Sequence, residues 1–185
     1  EMIKNYRGMF WAENYNNSVR LFNQYKKNED KSVLEEATKM FETTVIIDPD
    51  EGQTYAILAS CHYELGHYEL AVNNGKKAVE LIPNDLNTNL ALGQILSQID
   101  RKEEALPYII KAVEVDPSSA SAIRSLATIY YELNQKEKSV ETFEIAIKTE
   151  TDNKLKSDLY FNLGVLNMQL DNFQEAEDAF LLHLT

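Results

Sequence analysis

Apolar residues recur at helical spacing along most of the chain. Tyr55, Leu58, Ala59 and His62 fall at i, i+3, i+4 and i+7, which is one face of a helix. Ala71, Gly75, Ala78 and Val79 mark a second such face shortly after it. The chain therefore reads as a succession of paired amphipathic helices. Pro49, Pro83 and Pro117 close pairs, because proline lacks an N–H and clashes with the preceding turn. Asp50, Asn84 and Ser118 follow these prolines and are the expected N-caps of the next helices. Ser32-Val33-Leu34-Glu35 matches a capping box. Pro107 lies near the start of its helix, where a mild bend is expected. Met2, Tyr6, Met9 and Phe10 predict one more helix, a cap over residues 1–14, which carries the single tryptophan, Trp11.

The pairs repeat. The three prolines are 34 residues apart, and so are Ala37, Ala71 and Ala105, continued by Ser139. Ala78, Ala112 and Ala146 keep the step, as do Leu58, Leu92 and Leu126. Leu163 comes 37 residues after Leu126, and Ala176 comes 37 after Ser139. One connection has gained three residues, most simply within Thr149-Glu150-Thr151-Asp152-Asn153-Lys154. One helix pair cannot bury its own apolar face, so such an array is held together by stacking neighbours.

The landmarks in register are Tyr55, Leu58-Ala59, Leu65-Gly66-His67-Tyr68, Ala71, Ala78 and Pro83 in one unit. The next has Leu92-Gly93, Ala105, Ala112 and Pro117. Then come Leu126-Ala127, Tyr130, Phe143 and Ala146, and finally Tyr160, Leu163-Gly164, Phe173, Ala176 and Phe180. This pattern resembles the tetratricopeptide repeat. The resemblance implies an all-α, right-handed α-α superhelical solenoid. Its expected units are 52–85, 86–119, 120–153 and a shortened 157–185. A degenerate first unit, about 15–50, keeps Ala37, Phe41 and Pro49 but has Gln24-Tyr25 in place of Leu-Gly.

Composition narrows the function. The 185 residues carry 18 Lys+Arg against 30 Asp+Glu, a formal charge of −12. That balance argues against sequence-independent nucleic-acid binding, which needs a basic surface to displace counterions. It also argues against a polybasic lipid-docking patch. No apolar run approaches the roughly 20 residues of a membrane-spanning helix, so direct membrane insertion is not expected. The single cysteine excludes an internal disulfide and thiolate zinc clusters. The chain opens on Glu1-Met2-Ile3-Lys4-Asn5 and stops within an apolar pattern, Ala179-Phe180-Leu181-Leu182-His183-Leu184-Thr185. It reads as a cut from a longer, soluble protein, with its apolar end bared. Its composition is compatible with a bacterial source, cytoplasmic or periplasmic, and the compartment is left open.

No catalytic constellation stands out. Cys61 and His62 are adjacent, so on a helix they point about 100° apart. His62, His67 and His183 do not have metal-ligand spacing. Asp48-Pro49-Asp50-Glu51-Gly52 and Asp152-Asn153 lack the spacing of a calcium loop and read as turns. Asn16-Asn17-Ser18 is a formal glycosylation sequon. The expectation is a protein with no enzymatic activity, cofactor or metal.

The family resemblance implies a concave groove lined by recurrent positions of each first helix. By register these include Gln53, Tyr63, Asn87, Leu90, Gln94, Arg124, Thr128, Tyr131, Asp158 and Phe161. Amides can bond both N–H and C=O of an extended peptide, and aromatic rings supply rigid contact area. Arg124 is the one cation among the groove positions of the last four units, and so the candidate for a partner's carboxylate. Family members that clamp acidic chaperone tails use Lys, Asn and Arg in successive helices. Here the matching positions are Ala56, Ser60, Ala91, Ser121 and Ser125, so no such clamp is expected. The leading expectation is a scaffold that binds a protein segment or helix in its groove. The alternatives are self-assembly through the solenoid ends and a regulatory repeat domain of a larger protein.

Overall fold

The computed structural model describes residues 2–183, with side chains from Gly8 onward. Leu184 and the side chains of Met2 and Tyr6, named above, lie outside the described residues. Among the described residues every regular element is an α-helix. The chain forms two compact units, Glu1–Ile99 and Asp100–Thr185. The first holds α1 (Met2–Asn28), α2 (Lys31–Ile47), α3 (Gly52–Glu64), α4 (Tyr68–Leu81) and α5 (Leu86–Gln98). The second holds α6 (Lys102–Val115), α7 (Ala120–Glu132), α8 (Lys136–Thr149), α9 (Asn153–Gln169) and α10 (Phe173–His183). Within each unit every helix packs on the next, and α3 also packs on α5.

The repeated small residues sit inside the packed helices. Ala37, Ala71, Ala78, Ala105, Ala112, Ala146 and Ala176 have no exposed surface. Ser139 takes the alanine place in α8 and is equally buried. Its hydroxyl is satisfied by donating to the Ala127 carbonyl at 2.8 Å, which removes the cost of burying it. In the first unit Leu21, Tyr25, Leu34, Ala37, Phe41, Leu58 and Cys61 form one cluster. In the second, Ile123, Phe143, Ile147, Leu159, Leu163 and Leu166 pack around Ala127, Ala146 and Ala179.

The turns inside the hairpins share one geometry. Gly66, Asp100, Asn134 and Asp171 all have positive φ, between 57° and 78°. After α3 the Gly66 N–H donates to the Tyr63 carbonyl and the His67 N–H to the His62 carbonyl. Asn134 and Gln135, and Asp171 and Asn172, repeat both bonds. These are Schellman closures, which satisfy carbonyls left open at a helix end.

The caps differ from expectation by one residue. The N-caps are Glu51, Asp85 and Ser119, not Asp50, Asn84 and Ser118. The closing proline begins a turn that uses the next residue, so the cap falls two positions after it. Asp85 Oδ1 accepts from the Thr88 N–H at 2.8 Å. The Ser118 N–H instead donates to Asp116 Oδ1 at 2.9 Å. The capping box at Ser32 is also displaced: Asp30 is the cap and accepts from the Ser32 N–H.

Two further departures shape the array. The cap expected over 1–14 and the helix expected after it are one helix, α1, with no interruption at residue 14. Trp11 stacks on Tyr15 at 4.9 Å, and Tyr15 meets the Phe41 ring edge-on at 6.1 Å, so one face continues through the expected boundary. The sequon lies inside this helix, with Ser18 fully buried and its hydroxyl bonded to the Asn14 carbonyl. The added residues of the last repeat are helical: α9 has 17 residues, where α3, α5 and α7 have 13 each. Asp152 caps it by accepting from the Leu155 N–H at 2.9 Å. The helix α6 runs through Pro107 without a break.

Candidate interaction clefts

In the second unit α7 and α9 bring groove residues together. Thr128, Tyr131 and Glu132 stand at i, i+3 and i+4 on α7 and so share a face. With Phe161, Asn162 and Val165 of α9 they line a cleft of about 300 Å³, to which Phe143 of α8 also contributes. Tyr131 and Phe161 keep 40% and 47% of their surface exposed. Neither ring is loose. The Tyr131 hydroxyl accepts from Gln169 Nε2 at 3.2 Å. Phe161 packs on Phe180 at 5.9 Å and on the His183 ring at 5.3 Å. The His183 ring is fixed in turn by Ser157, whose Oγ is 2.8 Å from Nδ1. Thr128 Oγ1 donates to the Arg124 carbonyl, so toward the cleft it can only accept.

Arg124 does not present a bare cation. Its Nη1 donates to Glu150 Oε2 at 2.6 Å, and the Glu150 side chain is only 8% exposed. The other Glu150 oxygen accepts the N–H groups of Thr151 and Asp152. The carboxylate expected from a partner is already supplied by the chain itself.

The first unit has a smaller cleft of about 170 Å³, lined among others by Lys26, Ser60, Tyr63, Glu64, Gln94 and Gln98. Lys26 is again paired within the chain. Its Nζ lies 3.2 Å from Glu64 Oε1, while the Tyr25 hydroxyl donates to Oε2 at 3.0 Å. The ammonium also sits 5.2 Å from the Phe22 ring centre.

Of the expected groove residues, Thr128, Tyr131 and Phe161 meet in one cleft, and Tyr63 and Gln94 in the other. Gln53, Asn87 and Asp158 are exposed but line neither cleft. Leu90 is only 8% exposed, so little of it faces solvent. Sequence reasoning missed Glu150, which lies in the connection between α8 and α9, outside the repeated landmarks. It also placed Phe143 as a repeat landmark without its role at the cleft.

Cys61 and His62, the adjacent pair weighed for catalysis, are both buried. Cys61 is fully buried, and burial pushes its thiol up to about 12, so it stays protonated. Among the described residues no three His, Cys, Asp or Glu side chains converge to hold a metal. No described helix is long and apolar enough to cross a membrane. His62 is buried, its Nδ1 has no hydrogen-bond partner, and its Nε2 lies 3.9 Å from Glu42 Oε1. Burial lowers its pKa, the Glu42 charge partly opposes this, and His67 lowers it further. A histidine that is harder to protonate when folded makes the unfolded state bind more protons below its ordinary value of about 6.5. Stability should therefore fall as pH drops from about 7.5 to about 5.5. Urea unfolding of wild type and His62→Phe at both pH values checks this: the variant should lose less stability on acidification than wild type. Equal losses would contradict it.

Comparison with known proteins places this geometry. The chain is similar in fold to MamA 41-end from Desulfovibrio magneticus RS-1, with a TM-score of 0.76 and 22% identity over 91% of this chain and 93% of that one. It is similar to YrrB, described as a TPR protein with an unusual peptide-binding site, at 0.74 and 17% over 96% and 90%. Pseudomonas aeruginosa PilF gives 0.77 and 18% over 94% and 77%. The fold is thus the all-α helical-repeat solenoid expected from the sequence. Tetratricopeptide-repeat profiles match residues 52–85, 86–119 and 125–185, and the chain belongs to that family. Proteins of this fold are typically non-catalytic interaction modules. The human Protein SGT1 homolog is 39% identical over 80 residues, which are 41% of this chain and 21% of that protein. The chain thus matches about a fifth of that relative's length.

Proposed function

We propose that this chain is a non-enzymatic scaffold that holds a segment or helix of another protein against the concave faces of its repeats. The observation that carries the reading is the cleft between α7 and α9. Tyr131 and Phe161 are exposed there, yet each is held in place by its own neighbours. Fixed aromatic walls cost little entropy on binding, which is what interface anchors require. Asn162 beside them offers both donor and acceptor to a peptide backbone. The similarity to YrrB, a protein described by its peptide-binding site, supports the same reading.

The test is photo-crosslinking in lysate of the source organism. A benzophenone amino acid replaces Thr128 in the cleft, or Glu141 on α8 as a control. A specific partner should crosslink from position 128 and not from 141. The Tyr131→Ala/Phe161→Ala variant should lose at least tenfold in yield while circular dichroism shows unchanged helicity. Undiminished crosslinking by that variant would reject the cleft as the binding site.

A further inference from the structure

We infer that the segment held in the α7–α9 cleft carries one bulky apolar side chain flanked by Lys or Arg, and is not an acidic tail. The inference rests on the reading of that cleft as a protein-binding site and adds the chemistry of the occupant. Size gives the first part. A cleft of about 300 Å³ is at the lower end of ligand pockets, which suits one side chain better than a whole small molecule. The rings of Tyr131 and Phe161, with Val165 and Phe143, give it an apolar wall beside the polar Thr128, Glu132 and Asn162.

Charge gives the second part. Arg124 is neutralised by Glu150, so an incoming carboxylate would find its guanidinium engaged. Glu132 lines the cleft, and Asp158 stands one helical turn before Phe161 on α9, exposed. Thr128 has committed its proton to the backbone and faces the cleft as an acceptor. Residues 100–185 contain nine Lys and Arg against sixteen Asp and Glu. A field of this sign draws cations and repels acidic segments. The Glu132 carboxylate and the Thr128 acceptor in the cleft, with Asp158 exposed nearby on α9, match the donors of a lysine or arginine.

The test is selection from a phage-displayed random dodecapeptide library on the intact chain, followed by fluorescence anisotropy of the winning peptide. Enriched peptides should share a Leu, Ile, Phe, Tyr or Trp next to Lys or Arg. Changing the peptide's basic residues to Glu should weaken binding at least tenfold, as should Phe161→Ala in the protein. The Glu132→Lys/Asp158→Lys variant should reverse the charge preference. Enriched peptides that are acidic, or that lack an apolar anchor, yet still depend on Phe161 would overturn this inference and leave the cleft as the binding site. Enriched peptides indifferent to Tyr131→Ala/Phe161→Ala would overturn the cleft reading as well. A library that yields no binder would count against both.

Discussion

Phe41→Ala should cost the first unit about 3–5 kcal/mol, the usual loss for truncating a fully buried phenylalanine. Phe41 has no exposed surface and packs among Leu21, Tyr25, Leu34 and Leu58, with Tyr15 edge-on to its ring. It therefore ties α1, α2 and α3 together in the repeat whose sequence has drifted furthest from the pattern. Domains are stable by only about 5–15 kcal/mol, so the loss is a large share of the total. Hydrogen exchange should show amides of α1 to α3 losing protection. Ile46→Ala, five residues on along the same helix, removes a side chain that is 81% exposed and should change stability by no more than about 0.5 kcal/mol. Similar losses for the two variants would mean that α2 is not packed as described.

Gly164→Ala should destabilise the second unit and weaken its cleft at once, although residue 164 does not line it. A Cβ there would stand 2.6 Å from Phe180 Cε1, 2.8 Å from Cδ1 and 2.9 Å from Cζ, so the ring must move. Overpacking of this kind costs about 1–3 kcal/mol, against a gain of about 1 kcal/mol from replacing glycine within a helix. Phe180 supports Phe161, so the displacement reaches the cleft wall through one ring contact. Gly8 in α1 has nothing within 4 Å of the same added carbon, and Gly8→Ala should give the helix gain alone. Urea midpoints for both variants, with peptide anisotropy for Gly164→Ala, separate the effects. If Gly164→Ala stabilises as Gly8→Ala does, the Phe180 ring yields freely and does not position Phe161.

The repeat was legible because its signal is steric. Ala37, Ala71 and Ala105 recur at a fixed spacing, and each is fully buried. Thr128, Tyr131 and Phe161 of the α7–α9 cleft were named from groove positions that the family resemblance implies, carried over by register. What register did not supply is burial and the distant partners of a side chain. Leu90 sits at a groove position by count, yet it is only 8% exposed. The pairing of Arg124 with Glu150 joins residues 26 apart and rests on the backbone of the α8–α9 connection, which no repeat landmark covers. The expected boundary at residue 14 failed because the spacing of Trp11, Tyr15 and Ser18 continues a single helical face across it.

The α8–α9 connection has a consequence for how such a chain can change over generations. Its added residues joined α9 as about one more turn, some 6 Å of helix at about 1.5 Å per residue, and the connecting segment became shorter rather than longer. Leu163 and Ala176 still reach their buried positions, so the phase of the stack survived while the period in sequence did not. The added length was taken up by the start of a helix and not by the loop before it. The helix start offers a place where copies of the repeat can diverge in length while the helices beyond keep their phase.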